Sequence, residues 1–223
     1  MDKWFLVYDD PFADKNFSKA KEKLPTLKKI VSGKGIHDSH KHCAEQSLTN
    51  RFIVLDADCE LLENFSYTTF LNELTDESKV FVFRAVNPIN DLVYGHGGIK
   101  VFDRRLFKNN NAVDMTTAFD IVPVNYVTNI HRFNSTPFHT WRTAFRECTK
   151  LSSGTVKLRN TKDDEYRLTV WCEKFNNVEN AEYAKLGAIA GREYGFKNKD
   201  LQQINNFSWL KEKFEETKNV LET

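Results

Sequence analysis

The sequence lacks the features that would place it in several common classes of protein. Its positive and negative charges almost balance, because 32 Lys and Arg against 31 Asp and Glu give a formal net charge of +1. A global field that attracts polyanions is therefore absent, and nucleic-acid binding would need a local basic face. No apolar run reaches the ~20 residues of a transmembrane helix, and the N-terminus lacks the hydrophobic segment of a signal peptide. We therefore expect no membrane association.

Cysteine is scarce, and repeats and low-complexity segments are absent. The chain has no CxxC pair and no cysteine spacing typical of a disulfide framework; its cysteines are Cys43, Cys59, Cys148 and Cys172. We therefore expect reduced thiols and a cytoplasmic location, in the host cytoplasm if the protein is viral. The 223 residues fit one large α/β domain, or one such domain with a small helical part.

The most informative stretch is a predicted buried strand with acidic residues at its end. Residues 52–55 form a continuous apolar run, which is typical of a strand buried on both faces. Asp56 and Asp58 follow it, and strand ends of this kind lie in the ligand-binding crevice of α/β proteins. Because neighbouring carboxylates repel each other, the pattern favours a hard cation, Mg²⁺ or Mn²⁺, together with phosphate oxygens.

The segment LDAD, with Glu60 shortly after it, resembles the DxD motif of the metal-dependent glycosyltransferases of the GT-A fold. In that family the motif holds the metal on the diphosphate of a nucleotide-sugar. The resemblance implies that Asp58 is a direct metal ligand and that Asp56 binds the metal, the ribose or both. The alternative is an exposed Asp-rich turn that closes a strand.

Strand and helix patterns alternate along the first part of the chain. Strands are predicted at 3–8, 26–31, 52–55, 79–86, within 94–102 and at 121–130. Helices are predicted at 16–24, 37–48, 68–74, 136–151, 163–175, 181–194 and 208–221. The order predicts an α/β fold with a mostly parallel central sheet flanked by helices, and the resemblance to the DxD motif implies that this fold is GT-A-like (Rossmann-like). We expect a nucleotide-sugar-binding domain over 1–135 and a helical acceptor part over 136–223, packed with it as one unit.

The resemblance also implies residues that contact the donor. In the GT-A family the end of the first strand lies beside the nucleotide base, which makes Tyr8 and Asp9 candidates. The alternative there is a turn beside a core tyrosine. The segment YGHGGIK, with His96, Gly97 and Gly98, resembles a family segment that shapes the sugar pocket, where glycine lets the backbone approach a ligand closely. A plain β-turn is the alternative.

Many GT-A enzymes complete the metal site with a histidine near the C-terminus. No histidine follows His139 in this chain, so His131 and His139 are the late candidates. On the predicted helix after residue 136, Arg142 and Arg146 would pair with phosphates of the donor or of a nucleic-acid acceptor. The alternative is a solvated helix face.

An inverting glycosyltransferase also needs a carboxylate base near the acceptor hydroxyl. Residues 145–147 resemble the Glu-Asp segment that supplies this base in inverting family members, although Cys148 stands where the aspartate would be. Glu147 is therefore the first candidate base, with Asp114 and Asp120 behind it. The alternative for Glu147 is a structural role on a helix surface.

The segments LDADCE, YGHGGIK and TPFHTWRTAFREC are similar to small phage-type glycosyltransferases, some of which decorate hydroxymethylated bases in viral DNA. The resemblance implies a hexosyl- or pentosyltransferase that uses a nucleotide-diphosphate sugar, which we expect to be a UDP-sugar. It also implies modified DNA as a candidate acceptor. Two alternatives stay open. One is a sugar nucleotidyltransferase, although no glycine-rich, basic phosphate loop follows the first strand. The other is a non-catalytic nucleotide-binding protein of the same fold.

Overall fold

The computed structural model of this protein describes residues 1–32, 36–66, 68, 71, 74, 76, 78–95, 98–108, 119–154, 161–198 and 201–218. The predicted site residues His96, Gly97 and Asp114, and most of the helix predicted at 68–74, lie outside the described residues. The chain forms two compact units. The first comprises Met1–Asn87 with Val93–Arg132, and the second Pro88–Leu92 with Phe133–Thr223. The division expected from the sequence has one boundary, after residue 135, whereas residues 88–92 group with the second unit.

The first unit is built on one β-sheet. In chain order its described strands are β1 (Asp2–Val7), β2 (Lys28–Val31), β3 (Arg51–Asp56), β4 (Cys59–Leu61), β5 (Val80–Val86), β6 (Val93–Tyr94), β7 (Ile99–Asp103) and β8 (Ile121–His131). Their spatial order is β2-β1-β3-β7-β5-β8-β4, with β6 paired to β5. The same unit contains helices α1 (Ala13–Lys23) and α2 (Ile36–Gln46), and a 3₁₀ helix at Arg104–Phe107. The predicted α/β class is confirmed.

The sheet is mixed, which corrects the expected mostly parallel arrangement. The pairs β1–β2, β1–β3 and β5–β8 are parallel. The pairs β3–β7, β4–β8, β5–β6 and β5–β7 are antiparallel. Parallel neighbours need a crossover of a dozen or more residues, usually a helix, whereas only residues 87–92 connect β5 to β6. That short connection reverses the chain direction, and β6 and β7 both run antiparallel to β5.

Both faces of the central strands are covered by apolar residues. Leu55 of β3 belongs to a buried layer that includes Ala20 of α1. Its neighbour Val54 points to the opposite face and belongs to a layer that includes Ala44 of α2. Because successive side chains alternate between the two faces, a strand covered on both sides is apolar at every position. This explains the continuous apolar run that predicted β3.

The described part of the second unit is helical. Its helices are α3 (Pro137–Ser153), α4 (Thr161–Glu173), α5 (Ala181–Lys197) and α6 (Phe207–Lys218), with a 3₁₀ helix at Gln202–Asn205. Thr136 caps α3, because its side chain accepts a hydrogen bond from the backbone N–H of His139 at 3.2 Å. Thr-Pro at the start of α3 predicted this cap. No helix among the described residues is long and apolar enough to cross a membrane.

Glycines allow α5 to pack closely against α3. Gly187 lies against the backbone of Trp141, and Gly191 lies against the backbone of Phe145. A Cβ atom at either glycine would overlap the main chain of α3. The contact therefore requires residues without a side chain at these two positions.

Candidate active site

The carboxyl ends of β1 and β3 lie at one edge of the sheet. Leu6 of β1 is the register partner of Asp56 in β3. Tyr8 and Asp9 follow β1 directly, so they lie at the same edge as the acidic motif. The Ala57 N–H donates a hydrogen bond to the Leu6 carbonyl oxygen at 3.0 Å, which attaches the turn of the motif to β1. The motif thus follows a buried strand, as the apolar run predicted.

Asp56 forms an ion pair with a buried lysine. Lys100 Nζ donates to both carboxylate oxygens of Asp56, at 3.0 and 2.9 Å. Burial raises the pKa of Asp56 to about 6, although the ammonium group of Lys100 acts in the opposite direction and the charge of Asp58 adds to the rise. Near neutral pH the carboxylate is therefore ionised beside a compensating positive charge.

Asp58 is paired with an imidazole at the carboxyl end of β8. His131 Nε2 lies 2.8 Å from Asp58 Oδ2. The pairing follows from the antiparallel register of β4 and β8, which places His131 opposite Cys59. The N–H of Arg132 also donates to the Asp58 carbonyl oxygen at 2.6 Å. Of the two late histidines predicted as metal ligands, the structure brings His131 to the motif.

Further contacts hold the turn that contains the motif. Glu60 accepts a hydrogen bond from Arg132 Nε at 2.7 Å and lies 3.3 Å from Lys19 Nζ. The hydrogen bond from Arg132 is the main reason that the pKa of Glu60 is lowered. On α1, Asn16 Nδ2 donates to the Ala57 carbonyl oxygen at 2.7 Å. The motif is therefore attached to α1 as well as to β1 and β8.

The donor atoms at this edge suit a divalent cation. Carboxylate oxygens are the ligands that Mg²⁺ prefers, and an imidazole nitrogen in addition is compatible with Mn²⁺. Asp58, in the turn before β4, and His131, at the end of β8, provide one of each. Within the described ranges, no three His, Cys, Asp or Glu side chains are grouped to hold one metal ion. Phosphate oxygens and water would have to complete the coordination, as is common for Mg²⁺.

Asp120 lies away from the motif. It directly precedes β8, whereas His131 ends that strand. An extended strand of 11 residues covers roughly 30 Å or more at about 3.3 Å per residue. The structure therefore does not bring Asp120 to Asp58, and its proposed role as a base receives no support from its position.

Glu147 and His139 have partners within the second unit. Glu147 on α3 forms an ion pair with Arg167 on α4. His139 Nδ1 lies 2.7 Å from Thr136 Oγ1 at the start of α3. The roles predicted for these two residues, base and metal ligand, remain predictions.

The two predicted phosphate-binding arginines also have contacts in the second unit. The Arg142 guanidinium lies over the Phe207 ring, 4.7 Å from its centroid. Arg146 Nη2 donates a hydrogen bond to Asn205 Oδ1 at 2.8 Å. These contacts attach α3 to the start of α6 and to the 3₁₀ helix before it. Phosphate binding by either arginine remains a prediction.

Lys100 and Arg132 belong to no motif that the sequence pattern marked as functional. A signal was present for Lys100, because a lysine inside the apolar segment 99–102 needs a charged partner when the strand is buried. No comparable signal marked Arg132, whose partner Glu60 lies 72 residues away in sequence. The contact between Arg132 and Glu60 depends on the pairing of β4 with β8.

Comparison with known proteins gives weak structural similarity only. No family model and no curated protein matches the chain. A mannosyltransferase from Pyrobaculum calidifontis in complex with GDP-Man and Mn²⁺ is similar over 85% of this chain and 73% of its own, at 10% identity and a TM-score of 0.43. HddC from Yersinia pseudotuberculosis complexed with GMP-PN is similar over 56% of this chain and 91% of its own, at 10% identity and a TM-score of 0.40.

A third solved structure is a putative glucose-1-phosphate thymidylyltransferase from Bacillus anthracis in complex with a sucrose. It is similar over 55% of this chain and 67% of its own, at 14% identity and a TM-score of 0.35. Identities and TM-scores this low assign neither a ligand nor a reaction to the chain.

Proposed function

We propose that this protein is a metal-dependent glycosyltransferase that moves a sugar from a nucleotide-diphosphate sugar to an acceptor hydroxyl. The observation that carries the proposal is the 2.8 Å contact between Asp58 and His131, at the sheet edge where Asp56 ends β3. This donor set suits a divalent cation, and that edge is where α/β proteins bind ligands. The resemblance of LDAD to the DxD motif supports the same function.

Each residue of the site has a proposed task. Asp58 and His131 would hold the divalent ion, which when bound acts as a Lewis acid on the leaving diphosphate. Asp56, which Lys100 keeps in place, would accept hydrogen bonds from ribose hydroxyls. Tyr8 and Asp9, at the same sheet edge, would contact the base of a UDP-sugar, as the resemblance implies.

For the acceptor side we keep Glu147 as the proposed base. Its ion pair with Arg167 holds the carboxylate in place between α3 and α4. A carboxylate has several acceptor sites, so one contact with Arg167 does not occupy all of them. The variant Glu147→Gln, with Arg167→Gln as its control, tests this role.

The proposed acceptor is a hydroxymethylated base in DNA, and it rests on the resemblance to phage-type enzymes. A base in a duplex must leave the stack before a hydroxyl on it can react. Arg142 and Arg146 are the proposed phosphate contacts. The Arg142 guanidinium, which lies over the Phe207 ring, is a planar group whose N–H donors match the geometry of a phosphate.

A product assay separates the proposal from its alternatives. The protein is incubated with Mn²⁺ and a panel of nucleotide-sugars, alone and with duplex DNA containing hydroxymethylated cytosine, protein or small glycans. A parallel reaction contains nucleoside triphosphates and sugar 1-phosphates. A glycosyltransferase releases the nucleoside diphosphate and transfers the sugar. A nucleotidyltransferase instead forms pyrophosphate from a nucleoside triphosphate and a sugar 1-phosphate, and a non-catalytic protein binds nucleotide without either product. Absence of nucleoside diphosphate release from every donor would contradict the proposal.

The salt dependence of transfer tests the DNA acceptor. Phosphate contacts release counterions, so transfer to DNA should weaken as salt rises, and Arg142→Ala or Arg146→Ala should flatten that dependence. Donor hydrolysis without an acceptor should persist in both variants. Transfer to glycans alone, with no DNA binding at low salt, would end the DNA assignment and leave the donor chemistry intact.

A further inference from the structure

Strand β7 contains a lysine at a buried position. All five residues of Ile99–Asp103 are buried, and Lys100 is 6% exposed. Removing an ammonium group from water is costly unless an opposite charge and hydrogen bonds compensate for it. Apolar residues of similar volume would fill the same space at no such cost. The charge of Lys100 therefore calls for a reason beyond packing.

The strand register brings Lys100 to Asp56. Lys100 is the register partner of Val54 in β3. Because side chains alternate along a strand, Asp56 lies on the same face as Val54, two residues further on. Such diagonal neighbours are about 7–8 Å apart, which a lysine side chain can span. The observed distances from Lys100 Nζ to the two carboxylate oxygens, 3.0 and 2.9 Å, show that it does.

The same segment also holds the backbone of Asp56. The Asp56 N–H donates to the Gly98 carbonyl oxygen at 2.8 Å. Gly98 and Lys100 therefore hold the main chain and the side chain of Asp56 from one short stretch of chain. With both its oxygens engaged by one ammonium group, the carboxylate of Asp56 has a fixed orientation at the sheet edge.

We infer that Lys100 is a positioning residue for the proposed reaction: it fixes the carboxylate of Asp56 for donor binding and makes no contact with the donor itself. The inference rests on the proposed function, since the orientation of Asp56 matters only if Asp56 contacts the donor. The competing arrangement has Lys100 donating directly to a donor phosphate. The two arrangements predict different effects of removing Lys100 from a variant in which Asp56 is already neutral. Removal should not weaken donor binding further if Lys100 acts only through Asp56, and should weaken it further if Lys100 contacts the donor.

A double-mutant cycle distinguishes the two arrangements. Calorimetry gives the dissociation constant of UDP in the presence of Mn²⁺ for the wild type, Lys100→Met, Asp56→Asn and the double variant, and thermal unfolding is followed in parallel. We expect Lys100→Met to weaken UDP binding about tenfold or more, and the double variant to bind UDP as weakly as Asp56→Asn. We also expect the double variant to unfold at a higher temperature than Lys100→Met, because no unpaired buried charge remains.

Two results would overturn the inference. The first is that the Lys100→Met variant folds and binds UDP as tightly as the wild type, which would leave Lys100 with a purely structural role. The other is a double variant that binds several-fold more weakly than Asp56→Asn, which would show direct contact with the donor. If Lys100→Met does not fold, Lys100→Gln, which keeps a hydrogen-bond donor without the charge, takes its place in the cycle. A wild type that binds neither UDP nor any nucleotide-sugar would instead contradict the proposed function.

Discussion

The Nε2 atom of His131 lies 2.8 Å from the Oδ2 atom of Asp58, although the two residues are 73 positions apart in sequence. Strand β4 makes this contact possible, because it follows the motif directly and pairs with the end of β8. A carboxylate and an imidazole thus meet beside Asp56.

Asp58→Asn should abolish activity without unfolding the protein. The change keeps the size of the side chain but removes the charge that a divalent ion needs, so we expect the rate of sugar transfer or donor hydrolysis to fall about a thousandfold or more. The matched control is Asp120→Asn, which removes an exposed carboxylate at the opposite end of β8. The prediction fails if Asp58→Asn, folded by circular dichroism, keeps more than a small fraction of the wild-type rate.

Glu147→Gln should slow the chemical step and spare donor binding. A general base contributes about 10²- to 10⁴-fold to a rate, so kcat should fall by about 100-fold or more while the calorimetric affinity for UDP stays near that of the wild type. Arg167→Gln breaks the same ion pair but leaves the carboxylate in place. Equal losses of kcat in the two variants would show that the ion pair, and not a base, is what the reaction requires.

Asp2 should stabilise the protein in a pH-dependent way. Its Oδ2 accepts hydrogen bonds from the backbone N–H groups of Leu48 and Thr49, each at 2.9 Å. Burial opposes ionisation, but these hydrogen bonds, with those from the Thr49 hydroxyl and Lys28, lower the pKa of Asp2 from 3.8 to about 2. A lowered pKa stabilises the folded state above the unfolded value of 3.8, and this stabilisation is lost as the pH falls through about 2.

Asp2→Asn should therefore lower the free energy of unfolding by about 2 kcal/mol near neutral pH. The difference from the wild type should shrink as the pH falls from about 4 towards 2. Urea unfolding at several pH values measures both quantities. If Asp2→Asn lowers the free energy of unfolding by the same amount at every pH, the charge of Asp2 is not what stabilises its contacts with Leu48 and Thr49.

Gly191→Ala should destabilise the second unit. Alanine is favoured over glycine in a helix by about 1 kcal/mol, but its Cβ would overlap the backbone of Phe145 on α3. Overpacking of this kind typically costs about 1–3 kcal/mol, and backbone atoms have little freedom to move away, so we expect a net loss of stability. Glu193→Ala, at an exposed position of α5, is the control and should change the unfolding midpoint little. A gain in stability for Gly191→Ala would contradict the close packing of α3 and α5.

Local patterns predicted elements of both units. The apolar run at 52–55 located β3, because a strand covered on both faces has no polar positions to interrupt it. The place of Asp56 at the end of that strand followed directly. Thr136 and Pro137 located the start of α3 for an equally local reason, the satisfaction of free N–H groups in its first turn.

The contacts that define the site depended on strand pairing and could not be predicted. Strand β4 has three residues, which is too short for a period-two pattern, yet its pairing with β8 brings His131 to Asp58. The antiparallel direction of β7 likewise decides that Lys100 reaches Asp56. Helical spacing placed Arg142 on one face of α3, but its contact with Phe207 depends on where α6 begins.

The most direct test of the central claim is calorimetric binding of a UDP-sugar to the wild-type protein with Mn²⁺, with Mg²⁺ and with excess EDTA. If Asp58 and His131 hold a divalent ion on the diphosphate, binding should occur with either metal, disappear in EDTA and return when metal is added in excess. Asp58→Asn should show little binding under any of these conditions. Binding and turnover of a nucleotide-sugar that are unchanged in excess EDTA would contradict the assignment of this sheet edge as a metal-dependent donor site.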